Sequence, residues 1–327
     1  MTENRLITEL RGVAALLVML FHFISVSNNF LRNEYLIKIF TYGKYGVQIF
    51  FLISGFILTI SLVRANYNLK NAGKFLVKRF IRIEPPFIIS LSIILVLLLI
   101  KGAVQNIKIE ELFTLPQVLF HLGYWIPFTN YNWLSIVYWT LAIEFQFYIL
   151  LAVFFPLLKK NTLLRMVCLL AISSLFFIHD LMPGIQLLYW IPIFVSGITL
   201  AFITLKPNEK LAYLYVVLAT TNLITFIYYP IAISGFIIVT QFFIYFGNTL
   251  RSHFLYFLGK ISYSLYLTHT IIGFTLINLV ISFTDWIVLR YISLILIILI
   301  TIGFSYYFNR FMEIPFQRVS SKIKYKS

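Results

Sequence analysis

Ten stretches of the chain hold almost nothing but apolar side chains, and most approach the roughly 20 residues that carry a helix across a bilayer. They fall at 10–29, 44–63, 86–101, 134–158, 163–179, 185–205, 210–228, 230–247, 261–282 and 286–309. Polar residues gather in the connections, of which 102–133 is the longest. Pro230 leaves room only for a tight turn between the seventh and eighth stretches. The pattern predicts an all-α integral membrane protein with about ten transmembrane helices. No segment is low in complexity, and no internal repeat stands out.

Charge adds an orientation. An even number of spans puts both termini on one side. With both termini cytoplasmic, 20 of the 26 Lys and Arg fall in cytoplasmic segments and six outside, which is the positive-inside pattern. The net charge of +15 then belongs to membrane sorting, and nucleic acid is not an expected partner. Composition agrees: 61% of residues are hydrophobic and 11% charged, where soluble domains carry about 25% charged residues. Glu3 and Glu9 precede the first apolar run and no small-residue cleavage site follows it, so it reads as a retained helix and not a signal peptide. The lone Cys168, inside an apolar run, excludes an intramolecular disulfide and reads as a packing residue.

The candidate chemistry lies in the spans. Arg11 and His22 are separated by eleven residues, almost three helical turns, so they share a face about 16 Å apart along the axis. With Arg11 at the cytoplasmic surface, His22 comes near the midplane, where an ionisable group reads first as functional. Glu144, ten residues into the fourth stretch from the outer side, reaches a similar depth. A His22–Glu144 contact would satisfy both groups and orient the imidazole as a base, or serve as a structural pair. Lys74, Lys78 and Arg82 repeat every four residues with Arg79 beside them, which predicts a basic amphipathic helix that ends at Pro85-Pro86. Such a helix lies on anionic headgroups or holds a polyanion such as a nucleotide or coenzyme A. His269, about 12 Å into the ninth stretch, reads equally as a structural histidine bonded to neighbours such as Tyr266 and Thr268 or as a functional one. Ser54-Gly55 reads as a close-packing site. The aromatic residues of 102–133 suit sugar stacking or an interfacial belt. His121, His179 and His253 show no metal-ligand spacing, and H-E-x-x-H, paired Cys, a phosphate-cradling Gly loop and G-x-S-x-G are all missing from the sequence. No bound catalytic metal is expected.

In ordered blocks over nearly its whole length, the chain resembles the acyltransferase-3 family of integral membrane O-acyltransferases. The blocks are Leu10-Arg11-Gly12 through Phe21-His22, Gly46 to Phe56, Phe75 to Pro86 with its R-x-x-R pair, Trp139 to Tyr148, Leu258 to His269, and Glu313 to Phe316. The resemblance implies an acyl-CoA-dependent enzyme of a bacterial-type inner membrane. Its acyl group, acetyl in the simplest case, goes to a hydroxyl of a cell-envelope or lipid-linked saccharide or another exported acceptor. It implies His22 as the catalytic histidine with Arg11 as its partner, and Glu144 as an essential acid. It further implies Arg79 and Arg82, with Lys78 nearby, as the holders of the donor phosphates. His269 and Trp139 are the substrate-side candidates. Acetyl-CoA is expected as a co-substrate and no cofactor as resident. Two positions depart from the family: Gln48 stands where many members have an acid, and Glu84 where an aromatic precedes the prolines. The chain ends about ten residues after Phe316, so one transmembrane domain, 1–327, is expected without a fused soluble domain. The competing reading is a proton-coupled transporter or lipid flippase, with His22 and Glu144 as the relay.

Overall fold

The computed structural model describes residues 4–27, 30–205, 211–247 and 249–325. Glu3, the end of the first predicted span at 28–29, the 206–210 connection with Lys206 and Lys210, and Lys326 lie outside them. Among the described residues nine helical stretches are long and apolar enough to cross a membrane, and Ile231–Phe246 is a shorter apolar helix of 16 residues. Together they account for the ten predicted segments.

We number the helices α1 (Arg5–Phe21, continued by a π turn at His22–Val26), α2 (Gly46–Arg64), α3 (Ala72–Gln105), α4 (Trp139–Leu158) and α5 (Thr162–Ser174). There follow α6 (Leu187–Leu205), α7 (Leu211–Tyr228), α8 (Ile231–Phe246), α9 (Ser262–Phe283) and α10 (Ile287–Phe308). The apolar stretch of α6 is 83% buried and that of α1 67%, against 22% for the α10 stretch and 28% for α3. A helix that is apolar all round and buried is central, and one that exposes the same residues faces lipid. α6, α1 and α2 are therefore the centre of the bundle.

Small residues set the central crossing. A Cβ on Gly55 would stand 2.3 Å from the Phe194 carbonyl oxygen, and one on Gly197 would stand 2.1 Å from that of Leu52. The α2 and α6 backbones thus approach through paired glycines, the usual device where lipid supplies no hydrophobic drive between helices. The packing role expected of Ser54-Gly55 belongs to Gly55; Ser54 serves the site described below.

Two expectations about boundaries are corrected. The basic helix does not end at Pro85-Pro86, because α3 runs unbroken through both prolines for 34 residues. The prolines leave Ile81 O and Arg82 O without their usual i+4 donors, and side chains from other segments brace the helix on either side of that step. The Tyr263 hydroxyl donates to Ile83 O at 2.7 Å, and Ser320 Oγ donates to Lys78 O at 2.9 Å. The basic turns become the first part of a spanning helix and do not lie flat on headgroups. The second correction is at α4, which starts at Trp139 and not at 134. The preceding backbone is irregular yet deep: Tyr124, Ile126, Ser135, Val137 and Tyr138 are all buried. Irregular backbone at depth is tolerated where protein covers it. His121 fastens this segment, with Nδ1 donating to Gln117 O at 2.7 Å and Nε2 accepting from Leu134 N–H at 3.0 Å. Burial pushes its pKa below the ordinary histidine value, which suits a ring whose two nitrogens are engaged in the neutral form.

Candidate active site

α1, α3 and α9 all begin at the same end of the bundle, which the charge pattern predicts to be cytoplasmic, and their first few turns meet α2 and α4 around a cavity of about 130 Å³. Arg11 comes from α1, Arg79 and Arg82 from α3, Glu144 and Tyr148 from α4, and Tyr263 and Tyr266 from α9. α2 contributes Ser54, whose Oγ donates to Glu144 Oε1 at 3.1 Å. Three guanidinium groups therefore face one carboxylate. Among the described residues none of the three makes a hydrogen bond or an ion pair, and Arg79 Nε is both buried and unpartnered. The Arg79 guanidinium lies 5.4 Å from the Phe75 ring and 5.8 Å from the Tyr148 ring, so its direction is held by aromatic faces while its donors stay open. Guanidinium groups with open donors have the chemistry to hold an anion.

The cavity is closed above by a hydrogen-bonded partition. The Tyr266 hydroxyl donates to Val137 O at 3.1 Å and accepts from Thr140 Oγ1 at 2.8 Å. Ser135 Oγ and Thr270 Oγ1 are 3.2 Å apart, and Phe50 lies 6.0 Å from the Tyr266 ring. Beyond the partition a second, wider cavity of about 640 Å³ opens between the far half of α3 and α9. Its lining is largely aliphatic, from Ile94, Leu97 and Leu98, with Phe274, Ser135, Thr270 and Asn278 also facing it.

His22 and His269 stand in the wall between the two cavities. Neither lines one, but Tyr266, one turn before His269, roofs the inner cavity, and Phe274 of the outer cavity lies edge-on to His22 at 6.1 Å. His22 Nδ1 is 2.9 Å from Val18 O and 2.9 Å from His269 Nε2. His269 Nδ1 is 2.9 Å from both Leu265 O and Tyr266 O. His22 opens the π turn of α1, a local widening frequent at functional sites.

The expected His22–Glu144 contact is not formed. Spacing gives each residue a depth but not the direction it faces across the bundle. Glu144 turns to Ser54 and the arginines, and His22 turns to α9. Of the predicted residues, Arg11, Arg79, Arg82 and Glu144 share the inner cavity, and His22 and His269 sit above it. Lys78 lies outside, its Nζ 5.5 Å from the Tyr325 ring. Trp139 lines a separate aromatic pocket with Tyr189, Trp190, His179, Asp180 and Gln186. Tyr148, Tyr263 and the partition residues Thr140 and Val137 were missed as site components. A hydroxyl-rich start to α9 (Ser262, Tyr263, Ser264, Tyr266) was the available signal.

A family model described as an acyltransferase domain matches residues 7–310. A protein of Staphylococcus aureus (strain COL) named "Putative O-acetyltransferase" is 26% identical over 96% of this chain and 57% of its own length. A protein of the same name from strain N315 matches to the same extent. Nodulation protein 10 of Rhizobium leguminosarum bv. viciae is 30% identical over 35% of this chain and 34% of its own. The chain thus spans little more than half the length of the staphylococcal relatives. No solved structure matches it.

Proposed function

Since the chain belongs to this acyltransferase family, we propose that it takes an acyl group, acetyl in the simplest case, from acyl-coenzyme A. The group goes to a hydroxyl of an envelope saccharide or other exported acceptor. The observation that carries the reading is the set of three unpaired guanidinium groups in a cavity beneath a buried histidine pair. Arg79 and Arg82 would take the donor phosphates, with Arg11 deeper. Ligand pockets that enclose a whole organic molecule run from about 300 Å³ upward. A cavity of about 130 Å³ therefore takes at most the thioester end of the pantetheine arm and leaves the nucleotide at the mouth. Glu144 faces the arginines and keeps them from repelling one another when the donor is absent.

The arm brings the thioester to the partition at Thr140 and Tyr266, and the acceptor hydroxyl arrives through the outer cavity. The hydroxyl proton passes to His22 Nε2 as the oxygen attacks the thioester carbonyl. The tetrahedral intermediate collapses, the C–S bond breaks, and the coenzyme A thiolate recovers the proton from His22. The partition must part locally for the two substrates to meet, so the Tyr266–Thr140 and Ser135–Thr270 bonds are the moving contacts of the cycle.

Donor binding is tested by titrating the detergent-purified protein with acetyl-CoA and following thermal unfolding. At about 100-fold its dissociation constant the donor stabilises the folded state by roughly 2.7 kcal/mol, and free coenzyme A competes for the same site. The reading fails if millimolar acetyl-CoA leaves unfolding unchanged in both detergent and lipid.

A further inference from the structure

We propose that His269 is a positioning residue for His22: a neutral imidazole whose Nε2 lone pair holds His22 with its proton on Nδ1 and leaves His22 Nε2 bare for the acceptor hydroxyl. The inference rests on the reading of His22 as the base and says how that base is kept ready.

The proton positions follow from the surroundings of each nitrogen, because a histidine's tautomer is set by the partners its two nitrogens meet. His269 Nδ1 faces two backbone carbonyl oxygens, Leu265 O and Tyr266 O. A bare nitrogen there would set lone pair against lone pair, so Nδ1 carries the proton and donates. A neutral His269 then offers its lone pair at Nε2, 2.9 Å from His22 Nδ1. The other neighbour of His22 Nδ1 is also an acceptor, Val18 O at 2.9 Å. With acceptors on both contacts, His22 Nδ1 carries hydrogen. His22 Nε2 is left with the lone pair and has no hydrogen-bond partner among the described residues. Any other neutral arrangement puts a bare nitrogen against a carbonyl or two N–H groups against each other.

Packing fixes the rings as well as the protons. Gly273 carries no side chain where a Cβ would come within 2.0 Å of the Phe23 ring, and Phe23 packs 6.3 Å from His269. Both imidazoles are buried, at 7% and 1% exposure, where an unpaired charge is costly. When His22 Nε2 takes the acceptor proton, the imidazolium that forms points its Nδ1–H at His269 Nε2. That nitrogen is more basic than a peptide carbonyl. His269 thus does the work that a carboxylate does for the histidine of a Ser-His-Asp triad, without placing a negative charge beside it. Once the thiolate recovers the proton, both rings are neutral again.

The test is a substitution set with two readouts. His269→Leu keeps bulk but removes the acceptor; His269→Gln puts a carbonyl oxygen close to the lost Nε2. We expect His269→Leu to lower kcat by roughly 10²- to 10⁴-fold, the scale of losing an orienting partner, with donor KM within about threefold. His269→Gln should recover at least about tenfold of the loss. In the His22→Ala background His269→Leu should cost nothing further, as for residues that act as one unit. Equal losses in the Leu and Gln variants, or a donor KM that moves as much as kcat, would overturn the proposal and mark His269 as a packing residue. The second readout needs no turnover: imidazole ¹⁵N shifts of histidine-labelled protein, assigned by single substitutions, should show His22 protonated at Nδ1. Protonation at Nε2 instead also overturns it. Should His269→Leu not fold, His269→Gln and the shifts still decide. A His22→Ala variant with wild-type turnover would remove the general-base reading itself, whereas loss in His22→Ala beside full activity in His269→Leu removes this inference alone.

Discussion

Replacing His22 with alanine should lower acyl transfer by roughly 10²- to 10⁴-fold, the range a positioned general base contributes, while donor affinity changes by no more than about twofold. The separation follows from the layout. His22 lies in the wall above the inner cavity and is not among the residues that line it, so its loss removes the proton acceptor without disturbing the arginines. The assay is radiolabelled acetyl transferred from acetyl-CoA into alkali-labile ester in membranes, run beside donor-dependent thermal stabilisation of the same variant. Wild-type turnover in His22→Ala would show that the proton goes elsewhere. A variant that loses both transfer and donor stabilisation yet unfolds at the wild-type temperature would place His22 in donor binding.

The second large effect belongs to the arginine pair. Arg79→Ala/Arg82→Ala removes two guanidiniums that have no hydrogen-bond or ion-pair partner among the described residues, so the native structure loses only the contacts of Arg79 with the Phe75 and Tyr148 rings. What they would lose is the donor. Hydrogen bonds to charged groups contribute about 1.5–3 kcal/mol each, and every 1.4 kcal/mol is about tenfold in affinity. Donor KM should rise by at least about 100-fold, while kcat at saturating donor stays within a few fold. Arg79→Lys should fall between, because a lysine keeps the charge and loses the fork. The measurement is initial rate against acetyl-CoA concentration in reconstituted vesicles. An unchanged donor KM in the double variant would mean that these arginines serve structure or headgroups.

The sequence made depth legible and left facing obscure. The positive-inside distribution put Arg11, Arg79 and Arg82 at one end of the bundle, and helical rise put His22 far above Arg11. All three arginines do line one cavity, and Glu144 is with them. The side to which a midplane residue turns depends on helix rotation and on which helices touch, and apolar spans with little amphipathic asymmetry do not record that. The His22–Glu144 contact was therefore expected where His22–His269 is found. The same holds for Ser54, whose neighbour Gly55 makes the close crossing while Ser54 itself bonds Glu144. Pro85-Pro86 was read as a break because proline removes backbone donors. The helix nevertheless continues, braced beside that step by Tyr263 of a distant segment, whose hydroxyl donates to Ile83 O, a contact that no local reading could supply. The partition was hidden for a related reason: 134–138 is apolar enough to read as helix, yet its carbonyl at Val137 accepts from the Tyr266 hydroxyl, which itself accepts from Thr140 Oγ1.

The central claim is that donor and acceptor meet from opposite sides, with the arginine cavity open to the cytoplasmic face. The most direct measurement compares inside-out with right-side-out membrane vesicles of cells that carry the chain, each given labelled acetyl-CoA on the outside only. We expect alkali-labile label in envelope material from inside-out vesicles, where the arginine end faces the donor, and background from right-side-out vesicles, with both at background for His22→Ala. Equal labelling from the two orientations would contradict the account. So would an absence of label from either, together with proton-driven movement of an envelope precursor, which would bring the transporter reading to the front.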